Sequence, residues 1–390
     1  MPLPTLTELL RVMVDAGGSD LHVTAGSPPR MRIHGELSPC PGLPALSPSD
    51  TKQLAYSVLT DSQKHLFEEG LELDFSFGVK GVARFRGNLF FQRAAVSGVF
   101  RTIPFQVVSF EKLGLPAVVR DLCGKPRGLI LVTGPTGSGK STTLSTMIDF
   151  INESRTSHIL TIEDPIEFLH QHKRCLVSQR EVRYDTRSFP NALRAALRED
   201  PDVVLIGEMR DLETMESALR IAETGHLTMA TLHTNNASST VHRIIDSFPA
   251  QQQSQVRSQL SLVLEGILCQ SLLPRADGKG RAMAMEILIP NAAIRNLIRE
   301  DKIHQIYSVM QTGQEKLGMQ TFNQSLLWLW QKQLISRDVA MNAASNRDEL
   351  EDMMRRAASG DMGQRPRAGP SGQKVLTSAV VPPRMSSRPS

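Results

Sequence analysis

Residues 134–142 read Gly134-Pro135-Thr136-Gly137-Ser138-Gly139-Lys140-Ser141-Thr142, which fits the pattern G-x-x-x-x-G-K-[ST]. Glycines at this spacing let successive backbone N–H groups turn toward one point, and a helix beginning at Lys140 would add its positive end. That is chemistry for holding phosphate oxygens. Lys140 is expected at the β- and γ-phosphates, and Ser141, with Thr142 beside it, at Mg2+. A glycine-rich turn without a ligand is the plainer reading. It does not account for the apolar run Leu129–Thr133 just before the loop and the helix-forming residues just after it. The expected ligand is therefore ATP with Mg2+.

Two carboxylates stand where such a loop needs them. Ile159–Glu163 is an apolar run ending in Glu163 and Asp164, and Val203–Glu208 is a second run ending in Glu208. In a parallel sheet the ends of such strands meet at the phosphate site. Gly207 occupies the position where an aspartate usually holds the metal, so Glu208 is expected to serve Mg2+ and Glu163 to polarise the attacking water. Isolated carboxylates would more simply be helix caps or surface ion pairs. A third run, Leu227–His233, has His226 just before it and His233 at its end. Either histidine could hydrogen-bond a γ-phosphate or a catalytic carboxylate, against the alternative of a structural role. Arg84 and Arg86 alternate onto one strand face, and with Arg101 they are candidates to reach a neighbouring subunit's nucleotide. A solvated face is the bland reading of the same spacing.

These residues need a scaffold, and the chain outlines one. Strand expectations at Gly128–Thr133, His158–Glu163, Val203–Glu208 and Leu227–His233 alternate with helices at Lys140–Asn152, Phe189–Glu199 and Leu212–Glu223. That rhythm predicts an α/β fold with central strands buried on both faces. The first hundred residues instead read as a smaller α+β domain. A helix at Leu6, Leu9, Leu10, Met13 and Val14 precedes strands at Leu21–Thr24 and Met31–Leu37. A helix at Ser49–Leu59 and three strands, Asp74–Val79, Ala83–Arg93 and Gly98–Ile103, follow. After Pro290 the pattern is helical, with Trp328 and Trp330 expected as core anchors. The divisions are 1–104, a connection at 105–127, an ATPase core at 128–290, a helical region at 291–358 and a disordered basic tail at 359–390.

Composition narrows the class. At 390 residues, 40% hydrophobic and 22% charged, the chain is no fibrous or wholly disordered protein. The net charge of +4 matches the balance of Arg365, Arg367, Lys374, Arg384 and Arg388 against Asp361, so residues 1–360 are formally neutral. A neutral folded part argues against nucleic acid as a partner. Cys40, Cys123, Cys175 and Cys269 form no C-x-x-C pair, so reduced thiols in the cytoplasm are expected. No signal peptide and no membrane span is expected.

Together the phosphate loop, Ile159–Glu167, Asp202–Asp211 and Thr224–Asn235 resemble the secretion and pilus ATPase superfamily, over residues 1 to about 355. The segment Ala293-Ile294-Arg295-Asn296-Leu297-Ile298-Arg299-Glu300 is similar to the AIRNLIRE signature of its type IV pilus retraction branch. The absence of a tetracysteine zinc motif favours that branch over extension. The resemblance implies a RecA-like P-loop ATPase domain, a PAS-like domain before it and a homo-hexameric ring. It also implies Glu163 as base, Glu208 at the metal, and His226 and His233 in a histidine box. The implied setting is the cytoplasmic face of the inner membrane, acting on a platform protein of the pilus machine. Residues 294–300 would couple the ring to its partner, although Ile294, Leu297 and Ile298 equally describe an ordinary amphipathic core helix. An accessory paralogue co-assembling with a similar ring, and a nucleic-acid translocase, are the alternatives.

Overall fold

The computed structural model describes residues 3–33, 35–103, 107–313 and 317–359. The expected basic tail, apart from Ser359, lies outside the described residues. Ser359 itself ends a helix, Arg347–Ser359. The chain divides into two compact units. The first holds the described residues up to 103 together with Pro165–Leu169, and the second holds Val107–Asp164 and the described residues from His170 onward.

The first unit is built on a six-stranded antiparallel sheet, ordered β3-β2-β1-β6-β5-β4. Its strands are β1 (Gly18–Val23), β2 (Arg30–Ile33), β3 (Glu36–Pro39), β4 (Glu72–Val79), β5 (Ala83–Gln92) and β6 (Ala95–Ile103). The helix Leu6–Asp15 starts at a capping box between Thr5 and Glu8 and buries Leu6, Leu9, Leu10 and Met13. The run expected as one strand at Met31–Leu37 is instead the hairpin β2–β3, since Gly35 at φ 91° reverses the chain. A helix absent from the sequence expectations forms at Asp61–Gly70, opened by a Thr60–Gln63 capping box. Along β5, Phe85 and Leu89 enter the core while Arg84 and Arg86 share the other face, half-buried.

The second unit has a seven-stranded sheet, ordered β13-β12-β7-β11-β10-β8-β9. The strands are β7 (Gly128–Thr133), β8 (His158–Glu163), β9 (Leu176–Glu181), β10 (Val203–Ile206), β11 (Leu227–Leu232), β12 (Leu264–Pro274) and β13 (Arg281–Leu288). All neighbours pair in parallel except β12 and β13. Burial on both faces explains the unbroken apolar runs. Leu129 and Leu131 of β7 enter one core layer with Leu193, Leu219 and Val241, whereas Ile130 and Val132 enter another with Leu144, Met147 and Ile151. Within 105–127 the structure forms helices Phe110–Leu113 and Ala117–Cys123, whose Phe110, Val119 and Leu122 are buried in the second of these layers.

Helices dominate after β13. Leu326 and Leu329 of the helix Phe322–Gln331 are buried and Trp330 is partly so. Trp328, expected as a core anchor, is 53% exposed, because it falls on the face of that helix opposite Leu326. All four cysteines are free and buried. Among the described residues no helix is long and apolar enough to cross a membrane.

Candidate nucleotide site

Strand register brings the expected residues to one sheet edge. Thr133 of β7 pairs with Leu232 of β11, and Ile206 of β10 pairs with both Ala230 and Ile162. Gly134, Glu163, Gly207-Glu208 and His233 therefore leave four adjacent parallel strands at their carboxyl ends.

The loop after β7 takes its shape from glycine. Gly134, Gly137 and Gly139 have φ of 138°, 78° and 89°, all in the region side chains avoid. At Gly134 space is also short: a Cβ would stand 2.2 Å from the Gln270 carbonyl oxygen. Gly139 caps the helix Lys140–Ser154. Lys140 Nζ donates to the Gly134 and Pro135 carbonyls at 2.8 and 3.2 Å, which holds the ammonium over the loop. Pro135, Thr136 and Gly137 form the exposed crown, Ser138 is buried beneath it, and Ser141 is exposed in the first helical turn beside half-buried Thr142.

Glu208 is fixed from two sides. Its Oε2 accepts from Arg210 at 2.8 Å, and its Oε1 lies 2.9 Å from His233 Nε2. Burial alone raises the Glu208 carboxyl pKa, yet the hydrogen bond and charge of Arg210, with those of His233, carry it below the ordinary value. Glycine at 207 now has a reason. Its N–H donates to the Ile162 carbonyl, and a Cβ there would come 3.3 Å from both that oxygen and Glu163 Cα. Glu163 Oε1 accepts from Thr161 Oγ1 at 2.7 Å and from Gln179 Nε2 at 3.4 Å. Gln179 Oε1 is in turn held by the His170 backbone N–H at 2.8 Å, which fixes the amide so that its nitrogen faces Glu163.

The structure separates His226 from this group. It precedes β11 at the opposite edge of the sheet, about 20 Å of extended chain from His233. Its Nδ1 lies 2.9 Å from the Ile221 carbonyl and 3.1 Å from Thr224 Oγ1, a local helix-end role. Arg84, Arg86 and Arg101 lie in the first unit. Arg84 donates to Ser76 and to the Ile166 carbonyl, Arg86 stands 3.6 Å from Glu167 and 3.9 Å from Asp74, and Arg101 pairs with buried Asp20 at 2.8 Å.

In the segment 294–300, Ile294 and Ile298 are fully buried and Leu297 packs against the same core. Arg295 is committed within the unit. It donates to the Ser261 and Leu262 carbonyls at the end of the helix Ala250–Val263 and pairs with Glu265 at 2.9 Å. Asn296, Arg299 and Glu300 are exposed.

The donors present suit magnesium. Among the described residues no group of three His, Cys, Asp or Glu side chains could hold a metal unaided. Magnesium bound with a nucleotide takes most of its ligands from phosphate and water, and needs from the chain only a hydroxyl and an ionised carboxylate. Ser141 and Glu208, the latter kept charged by its neighbours, supply those.

Sequence patterns alone missed Gln179, Arg210, Gln270 and Arg281, the last of which reaches the Gly137 carbonyl at 3.4 Å. Arg210 follows Glu208 so closely that its neighbourhood was the available signal. The others come from strands whose polar residues carry no motif.

Comparison with known proteins agrees with this geometry. The family described as type II/IV secretion system protein matches residues 99–332. The type IV pilus retraction ATPase PilT of Pseudomonas aeruginosa is 53% identical over 339 residues, which cover 87% of this chain and 98% of that protein. A twitching motility protein of Neisseria gonorrhoeae is 52% identical over 322 residues, 83% of this chain and 86% of the relative. The crystal structure of the pilus retraction motor PilT with bound ADP superposes with a TM-score of 0.83 at 54% identity, covering 90% of this chain and 100% of that one. The chain thus belongs to the type II/IV secretion system protein family, as an ATPase of its PilT-like group.

Proposed function

We propose that this chain is a hexameric motor that couples ATP hydrolysis to retraction of a type IV pilus, and so to twitching motility. The observation that carries this reading is identity of 53% across 98% of PilT, a relative described as a pilus retraction ATPase.

The chain's own groups account for the chemistry. Backbone N–H groups of the loop and of the first helical turn, with the Lys140 ammonium, bind the phosphates. Ser141 and Glu208 would hold Mg2+, which when bound would supply positive charge to offset that of the phosphates. Glu163, anchored at Oε1 by Thr161 and Gln179, takes a proton from the attacking water. His233 keeps Glu208 oriented. Arg84, Arg86 and Arg101 act in trans on a neighbouring subunit's nucleotide. The ion pairs that hold Arg86 are long and only half-buried, and contribute about 0–1 kcal/mol.

The ring sits in the cytoplasm, at the inner-membrane face, with a platform protein of the pilus machine as its partner and no nucleic acid involved. Asn296, Arg299 and Glu300 form the polar side through which it couples. Ring assembly predicts that ATPase activity per subunit falls on dilution, in step with loss of the hexamer by light scattering. A constant rate from a stable monomer would contradict it.

A further inference from the structure

Gln270 lies in β12 after Leu268 and Cys269 and is only 2% exposed. Its Nε2 donates to the Ser138 carbonyl at 2.8 Å. Its Oε1 has no hydrogen-bond partner among the described residues. An apolar side chain here would remove the unmet Oε1 but strand the buried Ser138 carbonyl, so the glutamine brings the sheet itself little net gain. What it supplies is a hold on the phosphate loop. The strand backbone makes the same approach, since a Cβ on Gly134 would meet the Gln270 carbonyl oxygen at 2.2 Å. One on Gly139 would come 3.3 Å from Gln270 Nε2. Gln270 thus faces the loop at its first glycine, at Ser138 and at its last glycine.

Peptide geometry says what that hold achieves. In a planar trans peptide the carbonyl and the following N–H point in opposite directions. Drawing the Ser138 carbonyl toward β12 therefore aims the Gly139 N–H away from β12. We propose that Gln270 is a positioning residue for the phosphate loop, which presets the Gly139 amide for a nucleotide's phosphates. The strand that does this is itself anchored. Met285, the cross-strand partner of Gln270, donates its N–H to Ser325 Oγ at 3.0 Å and accepts from Gln320 Nε2 at 2.8 Å. This role rests on the nucleotide reading of the loop.

The test is ADP binding by the full-length chain, measured by titration calorimetry with thermal melts alongside, for wild type, Gln270→Leu and Gln270→Glu. Gln270→Leu is expected to bind ADP on the order of tenfold more weakly, the equivalent of one neutral hydrogen bond, with only a small shift in melting point, since losing the unmet Oε1 offsets stranding the Ser138 carbonyl. Gln270→Glu is expected to bind poorly at about pH 8, where a carboxylate faces the Ser138 carbonyl. It should recover toward about pH 6 as the buried carboxyl protonates and donates in place of the amide. Wild-type affinity in Gln270→Leu, or a Gln270→Glu defect that acid does not relieve, would overturn the role. So would losses of affinity that simply track lower melting points in both variants. A wild type that binds no ADP would overturn the nucleotide reading instead.

Discussion

His233 Nε2 lies 2.9 Å from Glu208 Oε1, so the ends of two neighbouring parallel strands are tied beyond their last backbone pair, Ile206 with Ala230. Thr231 Oγ1 adds a bond to the Gly207 carbonyl at 2.6 Å. A shift at either strand end is therefore felt at the other, which is how a histidine three residues past Ala230 can bear on the Glu208 carboxylate.

Removing the histidine should separate binding from turnover. His233→Ala leaves the phosphate loop intact and frees Glu208 from one of its two anchors. We expect kcat for ATP to fall by up to ~10²-fold, the scale of a small misplacement in the site, with a much smaller change in KM. Equal losses in both would contradict a positioning role.

Acid should expose the same contact in stability. Burial raises the Glu208 carboxyl pKa, but Arg210 and His233 outweigh it, and the folded value lies below the ordinary one. A lowered folded pKa contributes stability at every pH above the unfolded value, and that contribution is lost as pH falls through the folded value. Glu208→Gln lacks it. Urea unfolding should therefore show wild type ahead of Glu208→Gln near neutrality, with the gap closing in acid below the ordinary glutamate range. A gap that widens in acid would refute the assignment.

Restoring the usual aspartate at 207 should do harm. Gly207 lets β10 end against β8, and any Cβ would stand 3.3 Å from Glu163 Cα and the Ile162 oxygen. Gly207→Asp is expected to cost about 1–3 kcal/mol in unfolding free energy, the range for overpacked sites. It should also slow turnover by displacing Glu163. A variant as stable and active as wild type would mean the strand ends are free to part.

Arg295 and Arg299 should come apart despite sharing one motif. Arg295 binds two helix-end carbonyls and Glu265, and losing such charged hydrogen bonds should cost about 1.5–3 kcal/mol in Arg295→Ala. Exposed Arg299 should change stability by no more than about 0.5 kcal/mol on replacement by alanine. Arg299→Ala is instead expected to keep ATPase activity and lose retraction, read from chemical melts and from pilus dynamics in the same strains.

What the sequence made legible follows from burial. β7, β8 and the helix Leu212–Glu223 appear where the apolar runs put them, because a parallel strand covered on both faces must be apolar throughout. β9 was not visible, since Leu176–Glu181 is a half-exposed edge strand whose polar residues mask any period. The hairpin β12–β13 has a turn signal in Asp277-Gly278 between its two apolar runs, but with no site motif on either strand Gln270 does not stand out. His226 enters the expected site with His233 through the histidine-box resemblance, and an extended strand carries its two ends to opposite sheet edges. Trp328 was misplaced because aromatic size suggested burial, while the side chain falls on the outer face of its helix.

The central claim is that Glu163 drives turnover in a retraction motor. The most direct measurement is pilus retraction in living cells carrying Glu163→Gln at the native locus, with ATP binding and hydrolysis by the purified variant alongside. The near-isosteric change should keep ATP binding and lower hydrolysis by roughly 10²–10⁴-fold, the share expected of a positioned base. Cells should then extend pili and fail to retract them. Normal retraction in cells whose purified variant is hydrolytically dead would contradict the account.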